Sequence, residues 1–144
     1  MSNTGLKEFD NTIQKTNQLL KDIEVPFGWE KRRNQSYAAL KAVLHALRDR
    51  LTIDETAQFA SQLPMLVKGI YYEGWDPSKV PVKMNREQFL QRIRQEFPFS
   101  MEEDIEELVK VVFIALNRFV SIGELEDIRV SLPKDIREEI VAYG

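Results

Sequence analysis

The dipeptide Leu63-Pro64 recurs sixty-nine positions on as Leu132-Pro133, and sliding the chain onto itself by that offset brings a long stretch into register. Lys41 meets Lys110, Val43 meets Val112, Ala46-Leu47 meets Ala115-Leu116, Ile53 meets Ile122 and Glu55 meets Glu124. Where residues differ, the physical role is kept: Leu40/Val109, Leu44/Phe113, Leu51/Val120, Thr52/Ser121, Phe59/Ile128 and Val67/Ile136. A cap, an apolar stripe and a proline break repeated at fixed spacing constrain the chain to two copies of one helical unit. The expectation is an all-α protein of about eight helices, two tandem four-helix repeats in pseudo-two-fold relation packed into one compact bundle. The single domain covers 1–144, with repeat 1 at about 5–75, a linker at about 74–84 and repeat 2 at about 85–144.

Within the first copy, Phe9, Ile13, Thr16 and Leu20 share a face at the helical period. They predict a helix from about Gly5 to Ile23, ended by Val25-Pro26-Phe27-Gly28. A second helix, about Glu30 to Arg50, carries Tyr37, Leu40, Val43, Leu44, Leu47 and Leu51 on one stripe. Thr52 with Glu55 reads as a capping box that starts a third helix ending near Gln62. Pro64 suits the first turn of a fourth, running to about Tyr72. Gly74, Pro77 and Pro81 form the linker. In the second copy, Asn85 with Gln88, Ser100 with Glu103 and Ser121 with Glu124 predict three helix starts, and Pro133 the fourth. Phe89 and Ile93 repeat the spacing of Phe9 and Ile13 at a longer offset, so the first copy has an insertion before its second helix.

Composition narrows function mostly by exclusion. With 43% hydrophobic and 30% charged residues the chain is too apolar for a disordered one. Its net charge of -3 offers no cationic field for nucleic acid or anionic lipid. No cysteine is present, which removes disulfides, thiolate metal sites and cysteine nucleophiles. No window approaches a membrane span and no leader-like segment opens the chain, so a cytoplasmic location is expected.

The chemistry-bearing residues are few. Metal-carboxylate bundles need Glu-x-x-His pairs on facing helices, but the chain has one histidine, His45, with Lys41 and Ala42 at the preceding helical positions. His45 reads as a packed or partly exposed structural residue. The run Glu102, Glu103, Asp104, Glu106, Glu107 reads as a solvated first turn behind a Ser100 cap, favoured by the helix dipole. Lys31-Arg32-Arg33 is too short for a nucleic-acid patch, and six scattered glycines build no phosphate loop. The unusual feature is Gly69-Ile70-Tyr71-Tyr72-Glu73-Gly74-Trp75-Asp76-Pro77, which has no counterpart in the second copy. Tyr71, Tyr72, Glu73, Trp75 and Asp76, with His45, form the candidate interaction or ligand surface. Large aromatics anchor partners or close over ligands, and they equally plug a seam between repeats. Trp29, beside the insertion, is open to the same two readings.

Ala42 through Leu51, Gln62-Leu63-Pro64-Met65-Leu66 and Gly69 through Pro77, with the opening Phe9-Asp10 and Gln14-Lys15-Thr16-Asn17, resemble the hallmarks of a prokaryotic family, domain of unknown function 2267. The resemblance covers nearly the whole chain. It implies an all-helical duplicated domain and no established activity, substrate or cofactor. The expected function is a non-catalytic binding or scaffolding module, with a protein partner or a homo-oligomer and without cofactor, nucleic acid or membrane. The alternative is a small-ligand binder or enzyme using Tyr71, Tyr72 and Trp75.

Overall fold

The computed structural model describes residues 3–132 and 134–137. Among them every regular element is helical: α1 (Lys7–Phe27), α2 (Arg33–Arg50), α3 (Ile53–Ala60), α4 (Met65–Tyr72), a 3-10 turn (Pro77–Lys79), α5 (Arg86–Glu96), α6 (Ile105–Leu116), α7 (Ile122–Ser131) and α8 (Lys134–Arg137). The all-α expectation holds. Pro133, expected to start the last helix, lies outside the described residues, as does everything after Arg137.

The first helix is longer than its apolar pattern suggests. It runs through Pro26 to Phe27 and stops at Gly28, whose φ of 66° places it in the left-handed region. There the amides of Gly28 and Trp29 close back on the carbonyls of Val25 and Glu24, both at 3.1 Å. Proline in the last turn forfeits one intrahelical bond, whereas the left-handed glycine reverses the chain and so sets the end. The buried face is also shifted. Thr16, Leu19, Leu20 and Ile23 are buried, and Phe9 remains 48% exposed.

The second helix starts at Arg33, not near Glu30, and is the hub of the fold. It packs against α1, α4, α5 and α6, so the expected single stripe becomes burial on nearly every side. Leu40, Val43, Leu44 and Leu47 are inaccessible, and Ala39, Ala42 and Ala46 let neighbouring helices approach closely. Burial contributes about 1.5–3 kcal/mol for each large aliphatic side chain. Tyr37, placed on that stripe by its spacing, lies at the rim. Five other residues of this helix, Gln35, Ser36, His45, Arg48 and Asp49, are polar and buried.

Helix starts mostly follow the sequence. Thr52 and Glu55 form the capping box of α3, and Asn85 and Gln88 that of α5. Ser121 caps α7, but the Ser121 amide bonds Gln62 Oε1 at 2.7 Å, which frees Glu124 to accept from Gln58 on α3. Ser100 caps nothing. The start of α6 is capped by Asp104, which accepts the Glu107 amide at 3.0 Å. Phe97 is buried, and Phe99 and Met101 pack against the core. This alternation at period two suits an extended segment, and winding it into a helix would pull one ring out. Glu102 and Glu103 therefore precede the helix.

Elements from the two halves pack directly on one another: α2 on α5 and α6, α1 on α6, α3 on α7. These contacts bring the end of α4 against α2 and place α5 on another side of that helix. No helix among the described residues is long and apolar enough to cross a membrane.

Candidate functional site

A helix of eight residues such as α4 ends with carbonyls that lack intrahelical donors. Each of its last four has a partner. The Gly69 carbonyl accepts the Glu73 amide at 3.1 Å, and the Tyr72 carbonyl accepts the Trp75 amide at 3.0 Å. The Ile70 carbonyl accepts from His45 Nε2 at 2.8 Å, and the Tyr71 carbonyl from Arg48 Nη1 at 2.7 Å. The same Nη1 reaches the Glu73 carbonyl at 2.6 Å. His45 and Arg48 lie one turn apart on α2 and bring donors to the negative end of the α4 dipole. Gly74, with φ of 78°, carries the chain away in the left-handed region.

These side chains are buried, at 6% and 4% exposure, and charge this deep needs compensation. It comes from both α2 and α5. His45 Nδ1 lies 3.0 Å from Glu96 Oε2, and Arg48 Nε donates to Asp49 Oδ1 at 3.0 Å. Arg92 forms an ion pair with the other oxygen of Asp49. His45 and Asp49 are four apart, as are Arg92 and Glu96, and the two helices set the pairs against each other in opposite order. Burial pushes the Glu96 carboxyl up, but the hydrogen bond and charge of His45, with Arg92 and Arg48, hold it below the usual carboxylate range.

The aromatic cluster divides by depth. Tyr71 is wholly inaccessible, donates its hydroxyl to the Thr56 carbonyl at 3.1 Å, and lies 5.6 Å from the ring of Phe59. Burial pushes its phenol up, beyond the ordinary tyrosine range. Tyr72 is half-buried between Tyr71 at 5.2 Å and Trp75 at 5.3 Å. Trp75 is also half-buried, and its Nε1 is shielded from solvent with no acceptor. Glu73 and Asp76 are exposed. Asp76 caps the 3-10 turn, where the hydroxyl and amide of Ser78, with Lys79, hold its carboxyl below the usual range. His45, Tyr71, Tyr72 and Trp75 thus meet at one end of α4, while the carboxylates of Glu73 and Asp76 face water.

Sequence reasoning missed Arg48, Asp49, Arg92 and Glu96. The signal was available in the complementary charges four apart on two helices. Reading it required knowing that α2 and α5 are neighbours. Trp29, by contrast, is stacked between Phe27 at 4.6 Å and Phe97 at 5.8 Å, which accounts for it as packing. Among the described residues, no group of three or more histidine or acidic side chains is arranged to hold a metal ion.

A family model described as an uncharacterised conserved protein matches residues 16–139 of the chain. No curated protein matches it.

Proposed function

The chain belongs to the DUF2267 family, and we propose that His45, Arg48, Asp49 and Tyr71 serve its fold. On this reading the protein is a non-catalytic helical binding module. The observation that carries the reading is how these residues spend their hydrogen bonds: on the end of α4, on α5 and on the start of α3. Apolar side chains at the opposite end of α4 do the reverse. There the Leu66 amide donates to Thr12 Oγ1 at 2.8 Å, joining α4 to α1. Around that junction Phe9, Met65 and Leu66 are 48%, 55% and 42% exposed. This reading places the contact surface at that junction, because exposed apolar groups next to one another mark such surfaces.

The test is to compare the wild type with Phe9→Asp/Met65→Asp by light scattering behind a sizing column and by affinity capture from native lysate. The wild type is expected to self-associate or retain a stoichiometric partner, and the double variant to lose it. A wild type that is strictly monomeric and retains nothing would sink the reading.

The two-copy organisation as one domain is also our inference. It is supported by like elements meeting, α3 on α7, by the matched caps Thr52 and Ser121, and by burial of both Leu63 and Leu132 and of both Val67 and Ile136. A second reading of function, a small-ligand site at Tyr72 and Trp75, is favoured by one observation, the unpartnered Trp75 Nε1. Trp75→Phe keeps a ring and removes that donor. If thermal shifts from a metabolite screen are the same in Trp75→Phe, the site is not there.

A further inference from the structure

We propose that His45 is a proton-operated clamp, which in its doubly protonated form ties Glu96 on α5 to the Ile70 carbonyl at the end of α4 and on losing a proton keeps the carboxylate and releases the carbonyl.

A neutral ring has too few donors for the two acceptors it faces. Both ring nitrogens of His45 face acceptors, Glu96 Oε2 at 3.0 Å and the Ile70 carbonyl at 2.8 Å. A backbone carbonyl only accepts, so Nε2 must carry hydrogen to make its bond. An ionised carboxylate only accepts, so Nδ1 must carry hydrogen as well. Neutral imidazole has a single N–H. The histidine and the carboxylate together therefore need one proton more than imidazole plus carboxylate hold. If the extra proton leaves for bulk water, a nitrogen lone pair is left facing either a carboxylate oxygen or the carbonyl. Inside the protein that contact is repulsive, and the group left over is a buried polar atom without a partner.

The surroundings make the loss of that proton consequential. Among the described residues, the ring shares its network with the charged groups of Arg48 and Asp49 on its own helix and of Arg92 and Glu96 on α5. From the end of α4 come the phenol of Tyr71, committed to Thr56, and the exposed carboxylate of Glu73. Burial works against an ionised Glu96, and the hydrogen bond and charge of His45, with Arg92 and Arg48, favour it. Arg48 still holds the carbonyls of Tyr71 and Glu73 when His45 lets go. The neutral form therefore loosens the last turn of α4, with Tyr72 and Trp75, and does not unfold the chain.

The chain has one histidine, so its imidazole signals in a heteronuclear pH titration belong to His45 alone. The carbonyl 13C shift of Ile70 and the exchange protection factors of the Glu73 and Trp75 amides are followed through the same titration. Protection is expected to drop about tenfold as the ring loses its proton, the scale of one charge-assisted hydrogen bond, with the Ile70 shift moving at the same midpoint. Ile70 and protection that stay flat across the His45 midpoint would overturn the proposal. Glu96→Gln is the second arm, because a carboxamide donates to Nδ1 while Nε2–H bonds Ile70, which satisfies the neutral ring. In that variant protection should no longer depend on the state of His45. A step of undiminished size in Glu96→Gln would equally overturn the clamp.

Discussion

The guanidinium of Arg48 and the backbone carbonyl of Tyr71 meet at 2.7 Å, a charged donor from the middle of one helix closing the end of another. Because Arg48 is buried, its removal orphans the Tyr71 and Glu73 carbonyls and leaves Asp49 with Arg92 as its remaining ion-pair partner. Arg48→Met should lower the free energy of unfolding by about 3–5 kcal/mol, the cost of breaking a buried ion pair from one side. Arg48→Lys, with one compact ammonium for a forked donor, should recover part of that loss. Urea unfolding followed by circular dichroism measures both.

Tyr71 combines two contributions that separate cleanly. Tyr71→Phe removes the hydroxyl donated to Thr56 and should cost about 1 kcal/mol. Tyr71→Ala also removes the ring from its contact with Phe59 and should cost about 3–5 kcal/mol. Equal losses in the two variants would mean the ring is not packed as described.

Acid should destabilise the protein through Glu96. Its carboxyl is held lower in the folded chain than in the unfolded one, so the folded state binds that proton less tightly. The stability it contributes is complete above the unfolded value and is lost as pH falls through the folded one. Glu96→Gln should therefore flatten the acid limb of a plot of melting temperature against pH.

Glu124 should act in the opposite sense. Burial raises its carboxyl, the Gln58 hydrogen bond offsets part of this, and the charge of Asp127 adds to the rise. A value raised by folding gives stability that is full below the unfolded value and lost as pH rises through the folded one. Glu124→Gln should raise the melting temperature at neutral pH and leave it nearly unchanged in acid, as a thermal melt at two pH values would show.

The parts of the fold legible in the sequence are those that local chemistry decides. The caps at Thr52 and Asn85 and the break at Leu63-Pro64 need only residues three or four apart. The misplaced start of α6 also has a local alternative, Asp104 with Glu107, but choosing it over Ser100 depends on whether Phe99 and Met101 reach the core. Burial of Tyr71 and half-exposure of Tyr72 and Trp75 could not be read from an aromatic run, because depth depends on where α4 lands. The network of His45, Arg48, Asp49, Arg92 and Glu96 lay further out of reach, since it joins helices more than forty residues apart and looks in sequence like ordinary surface charge.

The central claim is that the buried polar residues of α2 act on the end of α4, and native-state hydrogen exchange on Arg48→Met tests it most directly. Protection should fall at the amides of Glu73 and Trp75 well beyond any loss at Glu55 or Leu125, which sit in the first turns of α3 and α7. Protection that falls equally at all four amides, or at none, would contradict the account.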